Sequence, residues 1–321
     1  MRYEPEDARR LAYDAIKAVG ASDAVAHALA EAVISAELAG SKAVGFAHLL
    51  DYLDGFVKGR IAKDAEPAVD SNVPAVMRVD ARQGIAQLAF DRAEDELSKR
   101  AMEFGVAVLS IANSYTVGEL GYYTRRCAER GLVAFATCNA TAQMTTLESG
   151  KAVYGTNPLS FAAPLVQGRP LVIDQASSAT AFVNLRKAAE HGESIPEGWA
   201  VDENGQPTTD ARQAVKGLLL AFGGARGANI AMIVEILAAG MTGGNWSIDA
   251  PHYAEGSESP GVGLFLVVLR PDALVHGFAE RLSTQLSRLE QAGVRIPGSH
   301  IKVREVDVPT DVMERVRAYI G

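Results

Sequence analysis

The feature that most constrains the fold of this chain is a pair of short apolar segments, 159–165 and 171–173, joined by a turn rich in glycine and proline. Two such segments around a Gly/Pro turn predict paired, buried β-strands. The second segment ends on a carboxylate, Asp174, and only small residues follow at 176–179. A carboxylate at the end of a buried strand, beside open backbone, is typical of a ligand site. The alternative is that Asp174 caps the helix that follows it.

Composition and charge exclude several classes of protein. With 321 residues, 48% hydrophobic and 22% charged, the chain suits one large globular domain or two modest ones. Its net charge of −8 argues against a nucleic-acid partner, because phosphate contacts require a concentrated basic face. No apolar run is long enough to span a membrane, and the charged N-terminus lacks the apolar core of a signal peptide. We therefore expect a cytoplasmic protein without a membrane partner.

The cysteine and histidine spacing predicts neither disulfides nor a metal site. Cys127 and Cys138 cannot build a disulfide framework, and no CxxC or HxxxH pair is present. Dinucleotide and hydrolase signatures are also missing, since the chain has no GxGxxG after an early strand, no P-loop and no GxSxG. A Rossmann fingerprint is therefore absent.

Strand, polar turn and helix alternate through the middle of the chain. A predicted strand at 106–111 runs into the polar turn 113–118 and then a helix at 120–130. A second strand at 132–138 ends on Asn139. Because α/β proteins place ligands at strand ends, this pattern indicates a mixed α/β protein with an enzyme-like site.

The N-terminal region is helical in pattern. Residues 5–37 show helical periodicity, and the apolar residues of 46–53 recur at helical spacing, with His48 on the neighbouring face and Tyr52 one turn further on. We interpret 63–73, with its proline and aspartates, as a linker.

A glycine-rich segment at 222–227, FGGARG, precedes an apolar helix that contains one acid, Glu235. Arg226 beside a helix N-terminus favours an anion, because backbone donors and the helix dipole attract negative charge. The alternative is that the glycines only allow tight packing against the core.

Several motifs, read together, resemble the type-2 malate/L-lactate dehydrogenase family. They are GTNPLSFAAP, the strand end at Asp174, IPEGWAVDENGQPTTD, FGGARG with VEILAAGMTGG, GLFLVVLRPDA and RIPG, in this order along nearly the whole chain. The family contains NAD(P)-dependent oxidoreductases that are unrelated to the Rossmann lactate dehydrogenases. It includes sulfolactate and ureidoglycolate dehydrogenases, diketogulonate reductase and ketimine reductases.

The resemblance implies an architecture. We expect a mixed α/β fold whose non-Rossmann, largely antiparallel central sheet forms the NAD(P)-binding and catalytic core, 74–300. A helical, substrate-side domain built from 1–73 and 301–321 would flank it. The resemblance further implies a homodimer with the active site between domains or subunits.

The resemblance also implies the residues that bind NADPH or NADH and a small-molecule substrate. The implied cofactor-binding residues are Asn139, Ala140, Asp174, Gln175, Ala176, Arg226, Gly298, Ser299 and His300. The implied substrate-binding residues are His48, Tyr52, Thr156 and Arg226. Nothing in the sequence distinguishes NADPH from NADH.

The acid–base residues typical of the family are replaced in this chain. The family carries Ser-His-Gly and, three residues later, an arginine that holds the substrate carboxylate; here the segment is Ala43-Val44-Gly45, with His48 in place of the arginine. A second family histidine corresponds to Thr116, and a relay aspartate corresponds to Asn184. We take His48, Thr116 and Asn184 as the catalytic positions. His48 is then a relocated proton donor, a carboxylate-binding imidazolium or a structural histidine.

Loss of the usual acid favours an imine over a ketone as substrate. Reduction of a ketone needs a general acid, which contributes roughly 10²–10⁴-fold in rate, whereas an imine can arrive already protonated. We therefore predict an NAD(P)H-dependent reductase of the C=N bond of a cyclic imino acid. The alternatives are a malate/lactate-type dehydrogenase of 2-oxo and 2-hydroxy acids that uses His48, and a cofactor-binding protein with little catalysis.

Overall fold

Residues 1–298 and 304–321 are described in the computed structural model. Its helices are α1 (Pro5–Ala18), α2 (Asp23–Leu38), α3 (Phe46–Lys58), α4 (Ala86–Phe104), α5 (Gly121–Glu129), α6 (Phe182–His191), α7 (Ala211–Ala214), α8 (Ala225–Glu235), α9 (Phe278–Gln291) and α10 (Thr310–Arg317). Its strands are β1 (Arg2–Tyr3), β2 (Ala68–Val73), β3 (Val76–Asp80), β4 (Val106–Ser114), β5 (Val133–Cys138), β6 (Met144–Thr145), β7 (Leu159–Ala163), β8 (Leu171–Gln175), β9 (Ala200–Val201), β10 (Pro207–Thr208), β11 (Leu218–Leu220), β12 (Val262–Leu269) and β13 (Val306–Asp307). A π-helical turn, Ile236–Gly240, continues α8.

A seven-stranded sheet forms the centre of the fold, in the order β2-β3-β4-β12-β5-β7-β8. The β3–β4 pair is parallel and the other neighbouring pairs are antiparallel. The apolar pair predicted around the Gly/Pro turn forms β7 and β8, with Phe161 opposite Ile173. Helices α4 and α5 pack on the sheet through buried side chains such as Phe90 and Tyr123. The predicted mixed α/β fold with a largely antiparallel sheet is thus confirmed.

The two ends of the chain meet in one helical layer. Strand β1 pairs with β13, with Tyr3 opposite Val306. Helices α1, α2, α3 and α10 share a hydrophobic core that includes Ile16, Phe56 and Val316. The predicted division into 1–73 with 301–321 and 74–300 stays a prediction.

The segment interpreted as a linker contains strand β2. This strand lies at the edge of the large sheet, paired only with β3. None of its residues is buried, and polar Asp70, Ser71 and Asn72 occupy its centre. An edge strand of this kind lacks an apolar signal, since natural sheets protect their edges with polar residues.

A smaller four-stranded sheet, in the order β10-β9-β11-β6, packs with α6 and α7 around buried Leu185 and Leu219. The turn-dense stretch before residue 210 belongs to this unit. Trp199, within this stretch, packs against the same hydrophobic cluster.

A buried acid joins the turn at 155–158 to α8. Glu235 accepts hydrogen bonds at Oε2 from Nδ2 of Asn157 and Oγ of Ser247, both at 2.7 Å, and at Oε1 from the N–H of Ser247 at 2.6 Å. Asn157 is fully buried and has a positive φ of 40°. The acid noted in the sequence is therefore a structural tie, because its carboxylate satisfies three buried donors.

Within the described ranges, none of the helices has both the length and the apolarity that crossing a membrane requires. In the same ranges, no cluster of three or more histidine, cysteine, aspartate or glutamate side chains is arranged to hold a metal ion.

Candidate functional site

Helix α3 carries His48, and a buried acid fixes the start of this helix. Oε1 of Glu37, on α2, accepts a hydrogen bond from the backbone N–H of Phe46 at 2.8 Å. It replaces the side-chain cap that Gly45 cannot supply. A Cβ at position 45 would overlap the Glu37 carboxyl group, so a larger residue there would displace it from the Phe46 N–H. His48 therefore stands in a first turn that is held rigidly against α2.

Ionisation of the Glu37 carboxyl group is unfavourable in this position. Burial raises its pKa, although the hydrogen bond from Phe46 acts in the opposite direction. Its Oε2 is buried without a partner among the described residues. A group whose pKa is raised by folding contributes stability below its unfolded pKa, about 4.3 for glutamate. That contribution is lost as the pH rises through the folded-state pKa.

We expect Glu37→Gln to be at least as stable as the wild type near neutral pH, because glutamine keeps the acceptor for the Phe46 N–H and removes the buried charge. The advantage of the variant should shrink as the pH falls towards about 4.3. Urea unfolding across this range measures the free energy of unfolding, with exposed Glu193→Gln as control. A variant less stable than the wild type by more than about 1 kcal/mol at neutral pH would contradict this account.

His48 lies between a carboxylate and a hydroxyl group. Its Nδ1 is 2.8 Å from Oδ2 of Asp51, and its Nε2 is 3.0 Å from Oγ1 of Thr116. Because an ionised carboxylate only accepts hydrogen bonds, Nδ1 carries a proton and donates it to Asp51. Nε2 is then the nitrogen that faces Thr116. The side chain of His48 is 14% exposed and that of Asp51 37% exposed, so the pair borders solvent and a ligand can approach it.

The loop that carries Thr116 is supported by buried polar side chains. The hydroxyl of Tyr52 donates to the carbonyl of Thr116 at 3.1 Å and accepts from Nε2 of Gln87 at 3.0 Å. Gln87 also donates to the carbonyl of Val117 at 3.0 Å. Burial raises the pKa of Tyr52 to about 12, so its hydroxyl is a neutral donor at physiological pH. Three predicted positions, His48, Tyr52 and Thr116, are therefore in mutual contact, with Tyr52 supporting the loop.

Sequence reasoning missed Asp51. The signal was present, because His48 and Asp51 are three residues apart and share one face of a helix. The family pattern drew attention to positions 44, 116 and 184, and Asp51 corresponds to none of them. Its role follows only from the direction in which the imidazole points.

Asp174, Gln175 and Gly298 line one cleft, of about 590 Å³. Oδ2 of Asp174 accepts a hydrogen bond from the N–H of Gly121 at 2.7 Å. Gly121 is the first residue of α5, so Asp174 supports a helix that precedes it in the chain. Helix α6, which follows Asp174, has no side-chain cap. The interpretation of Asp174 as the cap of the following helix was therefore wrong.

One short loop, 116–121, connects His48 to the cleft. Thr116 and Gly121 belong to one polar loop, and five residues span at most about 18 Å even when fully extended. One end of this loop contacts His48 and the other contacts Asp174. A ligand of the size of a dinucleotide can therefore reach both.

The carboxyl groups in the cleft are partly desolvated. Desolvation in the concave cleft raises the pKa of Asp174, against the hydrogen bond from the N–H of Gly121 and the charge of Arg125. Glu119 is buried and pairs with Arg125, with Oε1 at 2.5 Å from Nη2. Burial raises the pKa of Glu119 as well. The cleft thus contains two acids whose charged forms are disfavoured by burial.

Two further arginines line the same cleft, Arg169 and Arg295. Both are exposed, and neither forms an ion pair with any residue in the described ranges. Unneutralised guanidinium groups are suited to phosphate, which they bind through charge-assisted hydrogen bonds.

The strand end at Asn139 is used by the fold. Its Nδ2 donates to the carbonyl of Asn245 at 2.8 Å, and its Oδ1 accepts from the N–H of Gly263 at 3.0 Å. Ala140 is packed against Gly155, since a Cβ there would lie 2.7 Å from the Ala140 carbonyl oxygen. The cofactor-binding roles of Asn139 and Ala140 stay predictions.

The remaining predicted positions occupy separate places. The carbonyl of Thr156 accepts from the N–H of Ser177 at 2.8 Å, next to half-buried Ala176. Asn184 is exposed in the first turn of α6 and donates to Oγ1 of Thr180 at 3.0 Å. Among the described contacts of Asn184 there is no hydrogen bond to the other two catalytic positions. Ser299 and His300 lie outside the described residues.

The glycine-rich loop before α8 combines one tightly packed glycine with two glycines in open space. A Cβ at Gly227 would overlap the carbonyl of Phe222, so this glycine allows tight packing. Gly223 and Gly224 have positive φ and open space around them. Arg226 is exposed in the first turn of α8, without an ion pair in the described chain. Its predicted role in anion binding stays a prediction.

The comparisons with known proteins agree with this geometry. The family model for malate/L-lactate dehydrogenase matches residues 3–306. The chain belongs to the malate/L-lactate dehydrogenase family. The predicted family is therefore confirmed, and as a member of it the protein is an oxidoreductase.

Individual members of the malate/L-lactate dehydrogenase family resemble the chain over most of its length. A (2R)-3-sulfolactate dehydrogenase (NADP(+)) from Chromohalobacter salexigens is 37% identical over 98% of this chain and 96% of its own length. A Δ1-pyrroline-2-carboxylate/Δ1-piperideine-2-carboxylate reductase from Pseudomonas putida is 36% identical over 90% of this chain and 86% of its own. The crystal structure of the Δ1-piperideine-2-carboxylate reductase from Pseudomonas syringae superposes with a TM-score of 0.93, at 32% identity and 99% coverage of both chains.

Proposed function

We propose that this protein is an NAD(P)H-dependent reductase of the C=N bond of a cyclic imino acid whose carboxylate adjoins the reacting carbon. The observation that carries the proposal is the position of His48 on α3, with Nε2 at Thr116 and Nδ1 at Asp51. His48 replaces the family's arginine, and Val44, just before the helix, replaces its histidine. Relatives named as reductases of pyrroline- and piperideine-2-carboxylate support the substrate class.

NADPH or NADH would supply the hydride when bound. The cleft fits a dinucleotide, because Asp174 and Gln175 line it and Gly298 has open space around its Cα. Arg169 and Arg295 add cations that form no ion pair within 1–298 and 304–321 and so suit phosphates. The sulfolactate dehydrogenase from C. salexigens is named as using NADP(+), which supports a nicotinamide cofactor here. We assign the cofactor to this cleft.

The acid–base character of the site favours an imine. Val44, Thr116 and Asn184 stand where the family has ionisable groups, and none of these side chains is by itself a source of a proton at neutral pH. An iminium substrate already carries its proton and a positive charge at the reacting carbon. Such a substrate needs only orientation, which His48 and the hydroxyl of Thr116 can provide.

A second candidate is a 2-oxo/2-hydroxy acid dehydrogenase. One observation favours it. Nδ1 of His48 has a carboxylate partner, and its Nε2 lies within hydrogen-bond distance of the Thr116 hydroxyl, which is the arrangement expected of a general acid. The similarity to a sulfolactate dehydrogenase over 98% of this chain adds support.

We also propose a homodimer. Helix α8 and the segment after it expose a set of large apolar side chains: Met232, Ile233, Ile236, Met241, Trp246 and Ile248. Amphipathic α9 has no buried residue. Contiguous exposed apolar surface is typical of a subunit interface, and a second copy is the commonest partner. Light scattering should give twice the mass of the chain.

The cytoplasmic location stays a prediction that cell fractionation can test.

Oxidation of NADPH and of NADH, measured with purified protein against paired substrates, tests the function. The pairs should match in ring size or chain length, with a cyclic imine-2-carboxylate set against the corresponding open-chain 2-oxo acid. We expect higher kcat/KM for the imine. Faster turnover of the 2-oxo acid would favour the second candidate, and no turnover of either would contradict both.

A further inference from the structure

His48 is joined to an acid on its own helix. Asp51 follows it by three residues on α3, and their side chains meet at 2.8 Å. The other edge of the imidazole ring faces Thr116, which lies 68 residues further along the chain. The ring therefore bridges a carboxylate on one element and a hydroxyl on another.

We propose that Asp51 is the positioning carboxylate of this site, a relay acid supplied from α3 where the chain has Asn184 in place of the family's aspartate. This inference rests on the second candidate function, the reduction of a 2-oxo acid. Asp51 holds the proton on Nδ1 and thereby turns Nε2 towards Thr116. When the imidazole is charged, both ring nitrogens donate hydrogen bonds, Nδ1–H to Asp51 and Nε2–H to the Thr116 oxygen.

The proton path balances without another group. The nitrogen or oxygen atom of the reduced substrate takes the hydroxyl proton of Thr116 as its double bond is lost. The Thr116 oxygen takes a proton from Nε2 of His48 in the same step and stays neutral. His48 becomes a neutral imidazole that still donates Nδ1–H to Asp51, and solvent restores its proton. A substrate that arrives as an iminium leaves this path unused.

The other groups around His48 do not compete with Asp51. The rings of Tyr52 and Tyr253 lie 4.9 and 5.7 Å from the imidazole. Burial raises the pKa of both phenols, so neither is charged at physiological pH. The charge of Arg186 acts in the opposite direction and lowers the pKa of Tyr253. Asp51 is thus the acid that contacts the ring.

The backbone of Asp51 is also fixed. The hydroxyl of Tyr115 lies 3.2 Å from the carbonyl oxygen of Asp51 and 2.8 Å from that of Tyr253, to which it donates. This contact ties the middle of α3 to the loop before β12. A surface ion pair at i, i+3 spacing contributes little to stability. The arrangement is therefore better explained by orientation of His48 than by a gain in stability.

The test is Asp51→Asn in the full-length protein, assayed with a 2-oxo acid and with a cyclic imine. Asparagine matches the shape of aspartate but lacks its charge, so we expect kcat for the 2-oxo acid to fall about tenfold or more, with KM little changed. The alkaline limb of the rate profile should move to lower pH, because an imidazolium without a carboxylate partner releases its proton more readily. Imine reduction should change much less.

Asp54→Asn is the matched control. It makes the same change one turn along α3, where the carboxylate pairs with Arg60 and not with His48. We expect the pH profile of this variant to keep the wild-type limb. The double variant Asp51→Asn/His48→Gln should be no slower than His48→Gln alone, because both changes remove one function.

The outcomes separate this inference from the proposed function. A loss of activity in His48→Gln with none in Asp51→Asn would overturn only the role of Asp51. If Asp51→Asn does not fold, the tautomer of His48 in ¹⁵N-labelled wild-type protein gives an independent readout. We expect the neutral ring to be protonated at Nδ1. Protonation at Nε2 would overturn the inference.

Discussion

Replacing His48 by glutamine should lower kcat for a 2-oxo acid by about 10²–10⁴-fold, the contribution typical of a general acid. The reason is that Nε2 of His48, 3.0 Å from Thr116, is the proton source that the geometry offers. Reduction of a protonated cyclic imine should fall far less, since that substrate brings its own proton. Steady-state kinetics with both substrates measure the two effects. If His48 only held the substrate carboxylate, KM would rise instead while kcat survived.

The control for this variant is His27→Gln. His27 is an exposed histidine on α2 whose Nδ1 bonds the carbonyl of Asp23 at 2.8 Å. The same chemical change there should leave the kinetics unaltered. Equal losses for imine and ketone in His48→Gln, or wild-type rates for both, would contradict the assignment of His48 as proton donor.

Replacing Glu235 by alanine should destabilise the fold by about 3–5 kcal/mol. The change leaves three donors without their acceptor, from the Asn157 amide and from the backbone and hydroxyl of Ser247. Each buried unsatisfied group costs about 1–3 kcal/mol, and the missing side chain adds a cavity. Urea denaturation followed by circular dichroism measures the free energy of unfolding.

Glu190→Ala provides the comparison for Glu235→Ala. Glu190 is an exposed glutamate on α6, so its removal should change the free energy of unfolding by less than about 0.5 kcal/mol. A loss below about 1 kcal/mol in Glu235→Ala would show that the turn at 155–158 is held by other contacts. The account of Glu235 as a structural tie would then be wrong.

Much of the fold could be predicted from local patterns. The pairing of β7 with β8 followed from two apolar segments around a Gly/Pro turn, and the strands predicted at 106–111 and 132–138 form β4 and β5. The start of α4 was less accessible, because the helix begins at Ala86 without a side-chain cap, in an apolar stretch whose residues suit a strand as well as a helix. Small apolar residues fit either structure, and packing against the sheet decides between them.

The candidate site was predicted in part. His48 and Thr116 were singled out through the resemblance, and the structure brings them into contact although 68 residues separate them. Asp51 was missed, because a helical sequence shows which residues share a face but not where an imidazole points. Asn139 illustrates the converse. Its side chain bonds to Asn245 and Gly263, contacts that the sequence does not show, while its cofactor-binding role stays a prediction.

The most direct test of the account is a crystal structure with NADPH and pyrrole-2-carboxylate, a planar ring acid that resembles the imine. We predict nicotinamide density in the cleft beside Asp174, with the ring nitrogen within hydrogen-bond reach, about 3 Å, of His48 or Thr116. A separate pocket, of about 440 Å³, is lined by Trp199, Phe222 and Gly223. Nicotinamide density in that pocket, or a ring bound away from His48, would contradict the account.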